Sequence, residues 1–385
     1  MRFIFGIACL VPMTLAAQVP VLDATTETAP IPAGFSDSDD AAVWAHPRDP
    51  KKSIILGTSK YDEGGQGGLG VYALDGQELQ FFSGSKLNSV DILNNLAVAT
   101  NRSDNALDLY RIQDGRVSFL KRAYLLDAQG QSFEPYGLCL APGDDESVRI
   151  YLPTKTGVLY EYSLNKKKKL ALKNTYDLAA VVTPEQDARM QSVVTKETIA
   201  EGEEEELEEN LAERFILEGC VHDPRSGMLY IGMENLGIWR LKAKALELVI
   251  PVQGSWTDLD SWAKPGVPRV TDDIEGMDIV SHKGRSYLLF SSQGLSEFTL
   301  YDLDRLNWMG NFKIRLNAKD PVSLTDGLAI QGGNLGPRYP KGVLVVHDDE
   351  NTDKDGNTQP ANYKIVSLKK LWDIFAGGPA HDMGK

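Results

Sequence analysis

Histidine and the known catalytic motifs of hydrolases are scarce in this chain. The 385 residues include only five histidines, which are scattered, so zinc and other transition metals are disfavoured as cofactors. No HExxH, GxSxG, RHG or Cys-x5-Arg sequence occurs, which excludes the hydrolases that need those groups. The hydrolytic route that remains is attack by a water that metal ions activate.

Positive charge is in deficit as well. Lys and Arg number 40 against 54 Asp and Glu, which gives a formal net charge of −14. Nucleic acids and anionic membranes need a basic protein surface, so neither is expected as a partner. A small anionic substrate would need metal ions or a local cluster of cationic side chains.

Long apolar runs are limited to the N-terminus. Met1 and Arg2 precede FIFGIACLVPMTLAA and polar Gln18, the pattern of a signal peptide over residues 1–17. No other run approaches the length needed to span a membrane. Residues 18–385 are therefore predicted to form one monomeric domain that is secreted or periplasmic.

What the chain does contain is a repeat. Six short segments, each pairing a polar or acidic anchor residue with an apolar alternation, have anchors spaced 51, 45, 82, 57 and 51 residues apart. Each is followed by an apolar, aromatic stretch that ends in a turn. This spacing is typical of propeller blades, so the sequence predicts an all-β, six-bladed β-propeller. The segments are DDAAVW, NSVDIL, EPYGLCL, LEGCV, DIEGMDI and TDGLAI, anchored on Asp40, Asp91, Tyr136, Glu218, Glu275 and Asp326.

The longest spacing marks an insertion between the third and fourth anchors, over about residues 182–215. It contains EGEEEELEENLAERF, whose charge and composition favour an acidic, solvated helix. We interpret it as surface decoration and not as part of a site.

Cysteine is rare. Cys9 lies in the predicted signal peptide, which leaves Cys139 and Cys220 in the mature chain. Both fall on predicted inner strands, and we interpret them as buried thiols in preference to a disulfide.

One carboxylate per blade, projecting from the innermost strand, would converge on a common axis. Clustered oxygen ligands suit Ca²⁺, which takes six to eight of them. For any single residue a hydrogen bond at a strand end explains the carboxylate equally well, but the recurrence favours a metal. The candidates are Asp39, Asp40, Asp91, Glu218, Glu234, Asp273, Glu275 and Asp326.

Three cationic residues end strands in the early blades: Lys60 in TSKY, Arg102 in TNRSDN and Lys155 in PTKTG. An exposed Lys or Arg is usually only solvated. Three of them facing a calcium cluster would be repelled unless an anion lay between, so they read as a phosphate-binding group.

Taken in order, these motifs resemble the β-propeller phytases, also called alkaline phytases or 3-phytases. The resemblance extends from about Asp37 to Leu371. It implies a six-bladed propeller that holds several Ca²⁺ ions and removes phosphates from myo-inositol hexakisphosphate, free or as its calcium complex. The motifs are DDAAVW, SKLNSVDI, TNRS, EPYG, EGCVHD, DIEGMDI, SSQG, TDGLAI, GPRYPKG and HDDEN.

The resemblance also implies roles for individual residues. Catalytic calcium would be held by Asp39, Glu218, Glu234, Asp273, Glu275, Gln293 and Asp326, and substrate phosphate by Lys60, Arg102, Tyr136 and Lys155. Structural calcium would fall to Asp40, Asn88 and Val90 near the first blade junction, and to Asp320, Asp348, Glu350 and Asn351 near the last.

Glu27 is expected to face the same cluster, although no motif sets its register. Thr156 stands where the family commonly has an acidic residue, so one carboxylate of the site is missing. The segment DENTDKDGN from Asp349 resembles the start of an EF-hand loop, with Asn351, Asp353, Asp355 and Gly356 at positions one, three, five and six. Position twelve is Asn362 and not Glu, which favours a surface turn for Asp353–Asn357.

Two other functions fit a propeller of this kind. A calcium-dependent sugar lactonase would also carry carboxylates at the axis, but its neutral substrate needs no cationic residues. A non-enzymatic module presenting its rim to a protein partner would need neither acids nor bases at the axis. Lys60, Arg102 and Lys155 therefore separate the phytase interpretation from both.

Overall fold

A computed structural model describes residues 19–32, 35, 37–61, 67–264 and 266–375. The predicted signal peptide lies outside the described residues. No helix in the part of the chain that is described has both the length and the apolar character required to cross a bilayer.

Six antiparallel sheets of four main strands each form the fold, and the predicted six-bladed propeller is confirmed. The innermost strand of each sheet contacts the innermost strand of the next, and the sixth contacts the first, so the ring is closed. Because both faces of each sheet are covered by neighbouring blades, strands such as Ile54–Ser59 are buried at every position.

The strands are numbered along the chain. Two N-terminal strands, β1 (Val21–Asp23) and β2 (Thr26–Glu27), precede the first blade. Blade one comprises β3 (Ser38–Trp44), β4 (Ile54–Ser59), β5 (Gly68–Ala73) and β6 (Glu78–Ser83). Blade two comprises β7 (Leu87–Leu93), β8 (Leu96–Asn101), β9 (Ala106–Gln113) and β10 (Arg116–Tyr124). Blade three comprises β11 (Cys139–Pro142), β12 (Val148–Pro153), β13 (Val158–Leu164) and β14 (Leu170–Asp177).

The remaining blades follow the same order from the axis outward. Blade four comprises β15 (Leu217–His222), β16 (Leu229–Met233), β17 (Gly237–Lys242) and β18 (Ala245–Pro251). Blade five comprises β19 (Ile274–His282), β20 (Arg285–Ser292), β21 (Glu297–Asp302) and β22 (Asn307–Asn317), with the short β23 (Asp320–Pro321) paired to β22. Blade six comprises β24 (Leu328–Gly332), β25 (Gly342–Asp348) and β26 (Asn362–Ser367).

The N-terminal strands complete the last two blades. β2 pairs antiparallel with β26 and supplies the outermost strand of blade six. β1 pairs in parallel with the outer strand β22 of blade five. The two ends of the chain thus close the ring together, a pairing that strands of two and three residues do not reveal in the sequence.

Four α-helices lie outside the blades in the described part of the chain: α1 (Pro184–Glu201), α2 (Leu207–Ala212), α3 (Leu259–Trp262) and α4 (Leu368–Phe375). The predicted helical insertion corresponds to α1 and α2. α1 begins at a capping box. The backbone N–H of Gln186 donates to Thr183 Oγ1 (3.3 Å), and the backbone N–H of Thr183 donates to Gln186 Oε1 (2.8 Å). Met190 of α1 is buried against blades three and four, so the helix is docked.

The interpretation of the two cysteines as free thiols is wrong. Cys139 and Cys220 form a disulfide, with their Cα atoms 5.6 Å apart. They lie on β11 and β15, the innermost strands of blades three and four, which run side by side around the axis. Their separation of 81 residues in the chain concealed this proximity.

Three aspartates on innermost strands join neighbouring blades through backbone hydrogen bonds. Asp40 Oδ2 accepts from the Val90 amide (3.1 Å), and Asp91 Oδ2 accepts from the Leu140 amide (2.7 Å). Asp278 Oδ2 accepts in the same way from the Ile330 amide at 2.5 Å. In each residue the second oxygen binds the next amide of its own strand. Asp40 and Asp91 therefore link neighbouring blades through hydrogen bonds. Of the two roles considered for them in the sequence, a hydrogen bond at a strand end and a metal ligand, the structure shows the hydrogen bond.

Candidate metal and phosphate site

Three glutamates meet near the axis, and together they are suited to a metal ion. Glu218 lies on β15, Glu275 on β19, and Glu234 follows β16. One carboxylate oxygen from each lies within 4.8 Å of the other two. Glu218 Oε2 and Glu234 Oε1 are buried, and no hydrogen-bond donor of the described residues reaches them. Buried carboxylates without donors are costly unless a cation neutralises them, so these residues fit a bound ion.

The electrostatics of the cluster agree with that fit. Burial raises the pKa of Glu234 and of Glu275 well above the ordinary value, and the neighbouring Glu218 raises both further. Asp273 adds to the same repulsion. A divalent cation removes it, because the charges that repel one another then share a positive partner.

Asp273 reaches this cluster through an unusual backbone conformation. Its φ is 62°, in the left-handed region, immediately before β19 begins. Its carbonyl accepts from the Gln293 amide (3.0 Å), which ties the start of β19 to the SSQG segment. Burial, with the adjacent Asp272, raises the pKa of Asp273 to about 7.

A second acidic group surrounds Lys60. The Lys60 ammonium lies 3.0 Å from Asp39 Oδ2 and 2.8 Å from Asp326 Oδ2, and Gln293 donates to the other oxygen of Asp326. Burial raises the pKa of Asp39 despite Lys60. Burial also opposes ionisation of Asp326, but Lys60 and His347 outweigh it and lower the pKa of Asp326. The structure thus brings Lys60 directly onto two of the expected calcium ligands.

Arg102 and Lys155 flank the ring of Tyr136. The Arg102 guanidinium carbon is 5.2 Å from the ring centroid and the Lys155 ammonium is 5.4 Å from it. Arg102 Nε donates to Glu134 Oε1 (2.7 Å), whereas Lys155 pairs with Glu213 Oε2 (2.8 Å). The tyrosine therefore holds two cations in one place, through contacts of the cation–π type.

Asn88 links these cations to the glutamates. Its Oδ1 accepts from an Arg102 terminal nitrogen (3.0 Å), and its Nδ2 donates to Glu218 Oε1 (3.4 Å). The family resemblance implies that Asn88, Asp40 and Val90 form a structural calcium site. Here Asp40 and Val90 bind each other across the blades, and Asn88 instead stands between the cationic and acidic parts of the site.

The carboxylates predicted near the last blade have a different partner. Asp320, Asp348 and Asn351 all contact the buried ammonium of Lys364, and so does Glu27. The expectation that Glu27 faces the axial cluster is therefore wrong. The side chain of Glu350 is exposed, and its backbone amide contacts Ser323 Oγ at 3.3 Å.

The turn at Asp353 is confirmed as a surface turn. Its Oδ1 accepts from the amides of Asp355 (2.8 Å) and Asn357 (3.0 Å). Such bonds are typical of a self-contained Asx turn.

The acidic insertion reaches the site, so its interpretation as surface decoration is wrong. Glu197 of α1 accepts from Trp256 Nε1 at 2.8 Å. Burial, together with Asp272 and Asp273, raises the pKa of Glu197 to about 10. Glu213, just after α2, pairs with Lys155. Nothing in the local sequence distinguishes Glu197 and Glu213 from the exposed glutamates of the same insertion, because only the docking of α1 brings these two to the site.

In the metal-free protein, the free energy of unfolding is expected to fall as the pH rises from about 4 to about 7. Burial raises the pKa of Asp91 to about 6 and those of Asp273 and Asp278 to about 7. The folded state thus keeps protons that the unfolded chain has lost. The stabilisation is complete below the unfolded pKa and is lost as the pH passes through the folded one. Urea denaturation in chelator across this range measures it, and a free energy that rose with pH would contradict it.

A polar cavity of about 200 Å³ lies among the innermost strands and is lined by residues including Asp39, Glu218 and Asp326. A closed six-bladed propeller with carboxylates crowded at its axis and cations beside them has the architecture of a metal-assisted hydrolase of anionic esters.

Comparison with known proteins identifies the family. The sequence model of the family described as Phytase matches residues 10–183 and 196–383. The 3-phytase of Bacillus subtilis (strain 168) is 32% identical over 370 residues, which cover 90% of this chain and 84% of that protein. The chain belongs to the phytase family and is a phosphoric monoester hydrolase.

Two solved structures are similar to this chain at low levels of sequence identity. A protein from Lactobacillus plantarum has a TM-score of 0.46 at 12% identity, covering 85% of this chain and 84% of the other. A functionally unknown protein from Desulfotomaculum acetoxidans has a TM-score of 0.40 at 11% identity, covering 70% of both. Neither likeness bears on function.

Proposed function

We propose that this phytase depends on calcium and hydrolyses the phosphate monoesters of myo-inositol hexakisphosphate by attack of an activated water. One observation carries the proposal: the cluster of Glu218, Glu234 and Glu275, with buried oxygens that lack donors, adjoins the paired cations Arg102 and Lys155 through Asn88. Acids that need a cation thus stand beside cations that need an anion.

The oxygen-only donor set supports Ca²⁺ over a transition metal. The residues that would hold it are Asp39, Glu218, Glu234, Asp273, Glu275, Gln293 and Asp326. When bound, calcium supplies positive charge that offsets the phosphate oxygens and makes a water more acidic.

The protein's own cations bind and orient the phosphate. The Arg102 guanidinium can offer two donors to two phosphate oxygens, and Lys155 offers a point charge on the other side of Tyr136. Arg102 pairs with Glu134, and Lys155 pairs with Glu213. A phosphate carries more negative charge than a carboxylate, so it can compete with these glutamates for the two cations.

Lys60 belongs to the same function. The Lys60 side chain is 28% exposed, and its ammonium neutralises Asp39 and Asp326. If a metal ion were bound to those carboxylates, the Lys60 ammonium would be available to pair with a substrate phosphate. A sugar lactonase or a protein-binding module would not need Lys60, Arg102 and Lys155 at the axis. Membership of the phytase family argues against both alternatives.

The test is release of inorganic phosphate from phytate before and after treatment with EDTA, with metal removal verified by elemental analysis. Chelation should abolish release, and added Ca²⁺ should restore it, because the glutamate cluster then regains its cation. Full activity in protein shown to be metal-free would remove calcium from the mechanism.

We also propose that the mature chain is an exported monomer that begins near Gln18. The Cys139–Cys220 disulfide supports export, since such bonds persist in oxidising compartments. The intact mass and light scattering of the protein recovered outside the cytoplasm would test both statements.

A further inference from the structure

One lysine is completely buried in blade six. Lys364 lies on β26, between apolar neighbours in the strand NYKIVS, and its side chain has 0% exposure. A buried ammonium is costly unless it is fully paired. Its partners must therefore explain its presence.

Five oxygens surround the Lys364 ammonium. Three are carboxylate oxygens and two are side-chain amide oxygens, and they come from four separate parts of the chain. The distances are 2.6 Å to Glu27 Oε2, 2.9 Å to Asp320 Oδ2, 2.9 Å to Asp348 Oδ2, 2.8 Å to Asn351 Oδ1 and 3.1 Å to Asn362 Oδ1. We call this set the Lys364 cage.

The cage has the donor set of a calcium site, but an ammonium stands at its centre. Calcium would need its ligands at about 2.3–2.6 Å from the same point. An ion and an ammonium cannot share that point, because like charges in a buried site repel strongly.

The second carboxylate oxygens of Asp320 and Asp348 also have hydrogen-bond donors. Asp320 Oδ1 accepts from the Thr352 amide (3.1 Å), and Asp348 Oδ1 accepts from the Ser323 amide (2.9 Å). Both aspartates are 0% exposed. The residues expected to hold a structural calcium at the last blade therefore do not fit one in this chain.

We propose that Lys364 is a built-in cation that replaces a metal ion at the ring closure, so that this junction is held without calcium. The cage joins β2, the N-terminal strand that completes blade six, to β23, β25 and β26. The same ammonium thus links the N-terminal strand to blades five and six. This inference does not rest on calcium at the axial glutamates Glu218, Glu234 and Glu275, none of which is part of the cage.

The test counts bound calcium in variants of the cage. Lys364→Ser should leave the five oxygens around an open space, and the variant should bind one Ca²⁺ per chain more than the unmodified protein by equilibrium dialysis. Calcium should also raise its Tm further. Lys364→Met fills the space without charge, so its Tm should fall by about 5–10 °C with or without calcium. Lys369→Ser, at an exposed lysine of α4, is the control for loss of a positive charge.

An equal number of bound ions in Lys364→Ser and the unmodified protein would overturn the proposal. If that variant does not fold, Asp348→Asn answers the same question. Its Tm should fall, excess calcium should not restore it, and the number of bound ions should stay unchanged. Loss of one ion, with recovery in excess calcium, would mean that the cage holds a metal after all.

Discussion

Glu275→Gln is expected to abolish phosphate release from phytate while leaving the Tm nearly unchanged. The substitution keeps the shape of a residue at the centre of the glutamate cluster and removes one of the charges that hold a cation there. We expect a loss of about 100-fold or more in turnover, the size typical when a charge-stabilising group is removed from an active site. Folding tolerates the change because Glu275 is repelled by its neighbours in the metal-free protein.

Phosphate release and thermal melting, each followed across a calcium titration, measure both effects. Glu247→Gln is the matched control, since Glu247 lies on β18, is exposed and pairs only with Arg240 among the described residues. Activity within a few-fold of the unmodified protein, or a collapse in Tm, would show that Glu275 supports the fold and not the reaction.

Arg102→Ala is expected to lower kcat/KM for phytate by about 10–100-fold, the equivalent of one hydrogen bond between charged groups. The guanidinium is held beside Tyr136 by Glu134 and Asn88, with its side chain only 15% exposed. Arg102→Lys should recover only part of the loss, because an ammonium cannot form the two-point contact. The stabilisation by calcium should persist in both variants, since Arg102 holds no metal.

Steady-state kinetics with phytate, alongside Tm with and without calcium, separate the two properties. Arg315→Ala removes an arginine that pairs with Asp23 on the outer edge of blade five, and it should leave kinetics unchanged. If Arg102→Ala behaves like that control, the phosphate is bound elsewhere. If it abolishes the calcium effect on Tm, Arg102 supports the acidic cluster instead.

The insertion changes how the site is approached. Glu213 pairs with Lys155, and Glu197 binds Trp256 beside Asp272 and Asp273. These contacts come from one segment docked through Met190. A stretch whose composition suggests a solvated helix thus lies against both the cationic and the acidic parts of the site.

The sequence alone determined the repeat, the strand pattern and the family. Each of those depends on contiguous residues: an apolar alternation within a strand, a spacing between motifs, or a motif such as DIEGMDI. The types of residue at the site were also evident from the sequence, since carboxylates at the start of inner strands have to point toward a shared axis.

Only the tertiary structure decided what each of these residues does. Asp91 and Glu218 are both anchors of the sequence repeat, yet the strand registers align Leu87 with Leu217, so Asn88 and not Asp91 corresponds to Glu218. Asp91 accepts a backbone hydrogen bond from the next blade, whereas Glu218 meets two glutamates. The Cys139–Cys220 disulfide and the Lys364 cage were likewise invisible in the sequence. A disulfide and a buried ion pair form only when atoms lie within a few ångströms of each other. The residues involved are far apart in the chain, so only the folded structure brings them that close.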